Sequence, residues 1–251
     1  MVLPSAVQHG IDALRDDRVS GAAQIAAQAA AVVVLAAELA PDCLPETARL
    51  LVAAQPAMAP LVNLSRAVLA ASDPGAAARD FLLRMRSAGP RVARHAAGLV
   101  RDGSTVLTHS FSSTVFEALR AAHSSGCRFR VLCTESRPMR EGAALAASLE
   151  RETIAGTVIP DAAVESFLPQ AGLVLVGADS VSARGLVNKT GTALIARAAC
   201  ALQIPMYALC SSDKFLPPDY GPPRPCEGFD LTPLRHLTGI VTEDGITSPP
   251  S

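Results

Sequence analysis

From Val7 to about Leu99, alanine-rich, helix-favouring stretches alternate with proline-bearing breaks at Pro41, Pro45, Pro56, Pro60 and Pro74, a texture that predicts an all-helical first part. After Asp102-Gly103 the pattern changes to short β-branched runs, each closing on polar or glycine residues and followed by an amphipathic stretch. That is the signature of β-α-β units. The pattern predicts strands at Ser104–Thr108, Arg128–Cys133, Gly156–Ile159, Leu173–Gly177, Pro205–Cys210 and Gly239–Thr242. Helices are expected at Ser112–Ser124, Met139–Glu152, Asp161–Leu168 and Lys189–Leu202, the last with Leu194, Ala198 and Leu202 on a helical period. The fold class is therefore α/β: a helical N-terminal domain, 1–100, followed by a Rossmann-like domain, 101–251, whose mainly parallel sheet carries helices on both faces. Pro217–Pro225 reads as an irregular loop.

Composition narrows the function classes. Hydrophobic residues make up 49% of the 251-residue chain and charged residues 18%, which excludes wholesale disorder. A net charge of -1, two tyrosines and no tryptophan leave neither a phosphate-backbone footprint nor a base-stacking platform, so direct nucleic-acid binding is not expected. The apolar run from Gly21 to Ala40 has the length of a membrane span but carries Gln24, Gln28 and Glu38 and is mostly alanine, so it reads as a core helix of a soluble protein. Met1-Val-Leu-Pro lacks the basic flank of a secretory signal. The six cysteines are widely spaced, without a zinc-type pair, and read as reduced thiols of a cytoplasmic protein. No metal and no cofactor are expected.

In sheets of this kind ligands bind beyond the carboxyl ends of the strands, so the residues after each strand hold the candidate chemistry. The first strand runs into Thr108-His109-Ser110-Phe111-Ser112-Ser113-Thr114, hydroxyls opening a helix whose free N–H groups suit an anion. The competing reading is that Ser112 or Ser113 only caps the helix, with Glu117 completing a box. The fourth strand delivers Asp179, an acid among apolar neighbours that burial could turn into a proton donor, or else a turn-forming carboxylate. Asn188-Lys189-Thr190-Gly191-Thr192, read as a helix start, offers an amide, an ammonium and backbone donors together, and Ser211-Ser212-Asp213-Lys214 adds a second lysine. A single such lysine is usually solvated surface; three strand ends converging on one edge argue for a pocket.

The segments 108–115, Thr-Glu-Ser-Arg-Pro at 134–138, Val-Gly-Ala-Asp-Ser-Val at 176–181, Gly-Leu-Val-Asn-Lys-Thr-Gly-Thr at 185–192, and the tail from Phe229 to Ile246 resemble one superfamily. It holds the alpha, beta and delta subunits of translation initiation factor 2B together with methylthioribose-1-phosphate and ribose-1,5-bisphosphate isomerases. The resemblance implies that Asp179 matches the isomerases' catalytic acid, that Asn188, Lys189 and Lys214 match their ligand-binding residues, and that Ser112, Ser113 and Thr114 lie in the phosphate-binding segment. Arg66, in Asn63-Leu-Ser-Arg-Ala-Val, resembles the arginine through which the helical domain reaches the ligand. Two departures stand out. Ser110 occupies the place of the isomerases' catalytic cysteine, and a hydroxyl is far less acidic than a thiol. Ser20-Gly21-Ala22 replaces their Arg-Gly-Ala, leaving Gly21 as the matching contact and Arg18 as the nearest substitute arginine. Cys133, at a strand end on the same edge, is a candidate replacement thiol.

The regulatory subunits also lack the cysteine, yet they usually lose the aspartate that this chain keeps. Two functions follow from the resemblance. One is an aldose-ketose isomerase acting on a pentose 1-phosphate such as ribose 1,5-bisphosphate, with Asp179 moving the proton and Ser110 orienting substrate. The other is a non-catalytic regulatory protein that binds a sugar phosphate or nucleotide and acts through a translation factor partner. Both imply a phosphorylated pentose or related small molecule as ligand and a homodimer or higher assembly. A dinucleotide-dependent oxidoreductase is disfavoured because no GxGxxG follows the first strand.

Overall fold

A computed structural model of the protein describes residues 2–220 and 227–249; Cys226 and the 221–226 part of the proline-rich loop lie outside the described residues. Five helices come first: α1 (Ser5–Asp16), α2 (Ala22–Leu39), α3 (Leu44–Ala54), α4 (Ala59–Ala70) and α5 (Pro74–Ala97). Pro45, Pro60 and Pro74 fall in first turns, where the missing N–H costs nothing, and Asp73 caps α5 by accepting from the Ala76 N–H at 2.8 Å. In α2, Ile25, Ala26, Ala29, Ala30, Val33 and Ala36 are buried in one apolar cluster with Val7, Ile11, Leu51, Leu61 and Leu64. The one helix among the described residues that is long and apolar enough for a membrane thus contributes the centre of a helical core, its alanines letting neighbouring helices approach closely.

The remaining elements are β1 (Thr105–Thr108), α6 (Ser113–Ser124), β2 (Arg130–Thr134), α7 (Glu141–Arg151), β3 (Ala155–Ile159), the short α8 (Val164–Phe167), β4 (Leu173–Val176), β5 (Ser180–Ser182), β6 (Gly185–Lys189), α9 (Thr192–Ala201), β7 (Met206–Leu209), β8 (Phe229–Thr232), β9 (Gly239–Thr242) and β10 (Gly245–Thr247). Seven strands form one sheet in the order β10-β9-β7-β4-β1-β2-β3. Only the β10–β9 pair within it is antiparallel. Side chains alternate between its faces: Val106, Val131, Leu175 and Val241 pack with α5, α6 and α7, while Leu107, Val174, Val176 and Ile240 pack with α8, α9 and Leu234. The C-terminal half of α5, through Val92, Ala93 and Ala96, belongs to the sheet's core rather than to that of the helices before it.

Strand order reverses direction between β1 and β4, so the crevice at their carboxyl ends is the topological switch point. Three sequence expectations change here. Lys189 does not begin a helix: it ends β6, the middle strand of a small antiparallel sheet, β5-β6-β8, and α9 starts only at Thr192. The expected helix Asp161–Leu168 is broken into a 3-10 turn at Asp161–Ala163, the single turn α8 and another 3-10 turn at Leu168–Gln170. Pro160 and Pro169 flank the stretch and limit its helical run. The edge strand β10 was not foreseen either.

Candidate functional site

Beyond β1 the backbone turns sharply at Ser110, whose φ of 62° is left-handed, and Ser136 beyond β2 is also left-handed at 60°. Such conformations persist in non-glycine residues only when neighbours fix them. Here the Ser110 N–H donates to Ser136 Oγ at 2.8 Å, while Asp161 accepts from the Ser136 and Arg137 N–H groups, each at 2.8 Å. His109 is buried and ties three segments together. Its Nε2 donates to the Thr190 carbonyl at 2.9 Å and its Nδ1 lies 2.6 Å from the Thr134 hydroxyl, from which it accepts in the neutral ring. Burial lowers its pKa in the same sense. The histidine is a strut of the crevice.

Ser112 caps α6, its Oγ accepting from the Val115 N–H at 3.3 Å. The expected box with Glu117 does not form: with Ser112 as the N-cap the third helical residue is Val115, and Glu117, two positions further on, pairs with Arg120 instead. The N–H groups of Ser113 and Thr114, at the first two helical positions, remain available to an anion. Gly177, just past β4, makes the close approach possible: a Cβ there would lie 2.8 Å from Ser112 Cβ and Oγ, and it would face Asn188 Oδ1 at 3.9 Å. Ser112, Gly177 and Asn188 therefore meet across the switch point. The buried Asn188 donates to Thr192 Oγ1 at 3.0 Å, and that hydroxyl donates to the Lys189 carbonyl at 2.7 Å.

Asp179 lies on the same edge, its N–H donating to the Val187 carbonyl at 2.9 Å and its carbonyl accepting from Ala59 N at 3.0 Å, so that α4 closes down on it. Burial pushes its carboxyl up to about 6, against the pull of Lys214 and then of Lys189. Lys214 is itself buried, on the 3-10 turn Ser212–Lys214. Asn63 of α4 holds that turn by donating to the Asp213 and Phe215 carbonyls at 2.6 and 2.9 Å. Lys214 forms no salt bridge among the described residues. Lys189 does: it pairs with Glu141 from the first turn of α7, both side chains nearly enclosed at 13% and 11% exposure. The second carboxylate oxygen of Glu141 is buried without a partner. Gly142 fixes the position of Glu141, since a Cβ at Gly142 would sit 1.7 Å from the Thr134 carbonyl oxygen; only glycine lets α7 start against the end of β2. An acid in a first helical turn is unremarkable in sequence, so nothing local marked Glu141 as part of the site.

Three expected contacts are not assembled in the way the sequence suggested. The start of α9 is not open to an anion, because Asp230 of β8 accepts from the Gly191 N–H at 2.7 Å and the Ala193 N–H at 3.2 Å. Arg66 is at the surface, where its guanidinium holds Asp219 at 2.7 and 2.9 Å. Gly21 is the N-cap of α2 with nothing within 4 Å of a Cβ built on it, and Arg18 beside it is exposed. Cys133 cannot replace the missing thiol as a thiolate: it is fully buried, and burial pushes its pKa up to about 12. Cys210, at the end of β7, is likewise pushed up to about 12. The crevice thus combines one carboxyl able to hold or release a proton near neutrality, one unpaired ammonium, one ammonium neutralised by a carboxylate, and helix N–H groups.

Comparison with known proteins places these features in context. Residues 18–219 match the model of the initiation factor 2 subunit family. An eIF-2B subunit 2-like protein of Pyrococcus horikoshii is 35% identical, with 99% of each chain covered. Ribose 1,5-bisphosphate isomerase of Archaeoglobus fulgidus is 32% identical over 68% of this chain and 63% of its own. The crystal structure of Pyrococcus horikoshii OT3 translation initiation factor eIF-2B superposes with a TM-score of 0.92 at 36% identity, covering 99% of this chain and 98% of that one. The tetrameric eIF2B-beta2-delta2 complex of C. thermophilum shares the fold, with a TM-score of 0.85 at 22% identity and coverage of 98% and 92%.

Proposed function

The chain belongs to the initiation factor 2 subunit family, and on that premise we propose that it is a non-catalytic regulatory protein of the initiation factor 2B type that binds a sugar phosphate or nucleotide at the β1–β4 crevice. The observation that carries this reading is Ser110, a hydroxyl where the isomerases have their thiol, with no thiolate at the strand ends to replace it among the described residues: Cys133 and Cys210 are both buried and pushed up to about 12. Similarity to subunit 2-like proteins at 34–35% identity over 99% of this chain, against 29–33% over 63–95% of it for isomerases, supports it further. Lys214, the start of α6 and Asn188 hold the phosphorylated ligand, and Asp179 hydrogen-bonds its hydroxyls. Residues 1–100 and 101–251 act as a helical and a ligand-binding unit. The protein works in the cytoplasm as a homodimer or higher assembly, a translation factor being its partner.

A second reading, aldose-ketose isomerisation of a pentose 1-phosphate, is favoured by one feature: a carboxyl near pKa 6 beside two ammonium groups suits ring opening and proton relay. One experiment separates the two. Purified protein is incubated with ribose 1,5-bisphosphate, methylthioribose 1-phosphate and ribose 5-phosphate, with ketose followed by carbon NMR and binding by thermal shift. Stabilisation without conversion is expected. Ketose formation lost in Asp179→Asn would overturn the regulatory reading, and no stabilisation by any phosphorylated sugar or nucleotide would sink the ligand site itself.

A further inference from the structure

The residues of the crevice follow the strand order β7-β4-β1-β2 along the sheet edge. Lys214 comes after β7, Asp179 after β4 and Ser112 after β1, while Glu141 opens the helix after β2. Lys214 and Glu141 therefore stand on opposite sides, on strands three spacings, about 14 Å, apart. Lys189 reaches across from β6 to the Glu141 side, where the two side chains pair in near-complete enclosure. Among the described residues the Glu141 side chain makes no other hydrogen bond, its second oxygen being buried without a partner. Gly142 fixes the backbone that carries this carboxylate, by letting α7 start directly against the Thr134 carbonyl. Burial raises the carboxyl of Asp179 against the pull of both Lys214 and Lys189, so both ammoniums lie within electrostatic reach of the middle of the crevice.

Resting on the crevice as the site of a sugar phosphate, we propose that Glu141 is a specificity-determining residue that restricts it to ligands with a single phosphate. The phosphate takes Lys214 and the start of α6, the sugar hydroxyls face Asn188 and Asp179, and the far end of the ligand meets the Glu141–Lys189 pair. A neutral hydroxyl leaves that pair intact. A second phosphate does not, because to take Lys189 it must displace a carboxylate that has no other cation. The displaced charge then stands beside the phosphate in a poorly solvated pocket, where like charges repel strongly. Setting a like charge against the unwanted ligand is a direct route to specificity. With Glu141 neutral, the same crevice would present an ammonium on each side, an arrangement that suits a bisphosphate.

Calorimetric titration of the full chain with ribose 5-phosphate and ribose 1,5-bisphosphate, at one ionic strength, tests the assignment in the wild type, in Glu141→Gln and in the double variant Glu141→Gln/Lys189→Met. The wild type is expected to bind the bisphosphate no more than about three-fold tighter than the monophosphate. In Glu141→Gln the ratio of bisphosphate to monophosphate affinity should rise about ten-fold or more, and the double variant should lose that rise, which places the gain on Lys189. The wild-type comparison needs no variant. For a Glu141→Gln protein too unstable to titrate, thermal shift reads the same preference, the bisphosphate raising its melting temperature by more than the monophosphate does. A wild type that prefers the bisphosphate by about ten-fold, a ratio unchanged in Glu141→Gln, or a rise that survives the loss of Lys189 would overturn the role of Glu141 and leave the crevice as the ligand site. Binding of neither compound would overturn both this inference and the sugar-phosphate reading it rests on.

Discussion

Replacing Asp179 by asparagine should make the protein more stable at neutral pH, and the effect should disappear in acid. The carboxyl has a pKa of about 6 in the folded chain against the ordinary 3.8, because its burial disfavours the ionised form more than Lys214 and Lys189 favour it. A carboxylic acid whose pKa is raised on folding weakens the fold wherever it is ionised. The penalty is absent below the unfolded value, grows from about pH 4 to about pH 6, and is complete above that. A shift of this size corresponds to at most ~3 kcal/mol at pH 7.5, and relaxation of the two lysines around the charge reduces it. For a chain of this length it is a rise in melting temperature of about 5–10 °C. Asparagine keeps the shape and cannot ionise. Thermal and urea melts of both proteins in phosphate-free buffers at pH 4, 5, 6 and 7.5 give the difference directly, since titrations elsewhere in the chain cancel. A stability difference that does not change with pH, or a variant less stable than the wild type at pH 7.5, would refute the reasoning.

Gly142→Ala should unfold or severely destabilise the protein, by more than the ~1–3 kcal/mol of ordinary overpacking, because its methyl group would meet the Thr134 backbone carbonyl oxygen at 1.7 Å; urea denaturation measures the loss. Asp230→Ala should cost about 1 kcal/mol as the cap of α9 is lost, and sulfate should stabilise this variant more than the wild type, since the Gly191 and Ala193 N–H groups become free to take an anion; a melting series in sulfate reads both. Ellman's reagent should modify exposed Cys200 at once in the native protein, whereas Cys133 and Cys210, both buried and pushed up to about 12, should react only at the rate of unfolding, which mass spectrometry of the labelled peptides resolves.

The central sheet was legible because strands buried on both faces are written as continuous apolar runs. Leu173–Val176 and Gly239–Thr242 are buried at every position, and no helical period competes with them. The small sheet was not legible for the converse reason. β5 spans only Ser180–Ser182, and the partner that makes β6 a strand is β8, at Phe229–Thr232. Nothing within Gly185–Lys189 announces that pairing, so a lysine followed by Thr190-Gly191-Thr192 read naturally as a helix start. Asn188 and Lys189 were thus assigned to the correct edge of the sheet and the wrong element. The same limit hid Asp230 and Glu141, acids whose partners are Gly191 and Lys189, far away in sequence.

That limit bears on function, because it decides how much positive charge the crevice has to offer. Read along the chain, Lys189, Lys214 and two helix starts add up to a site for more than one phosphate. Folded, Glu141 neutralises Lys189 and Asp230 occupies the start of α9, so Lys214 is the one ammonium of the crevice left unclaimed among the described residues, with the first N–H groups of α6 and the Asn188 amide beside it. Asp179 beside them becomes an anion above about pH 6 and then opposes a dianionic ligand. On the reading proposed above, the crevice therefore has capacity for a single phosphate, and the rest of the ligand must be recognised through hydroxyls. Ser110 fits that division of labour better than a thiolate would: held in its left-handed turn by Ser136, it offers a neutral hydroxyl to a sugar and adds no negative charge to a site already short of positive charge.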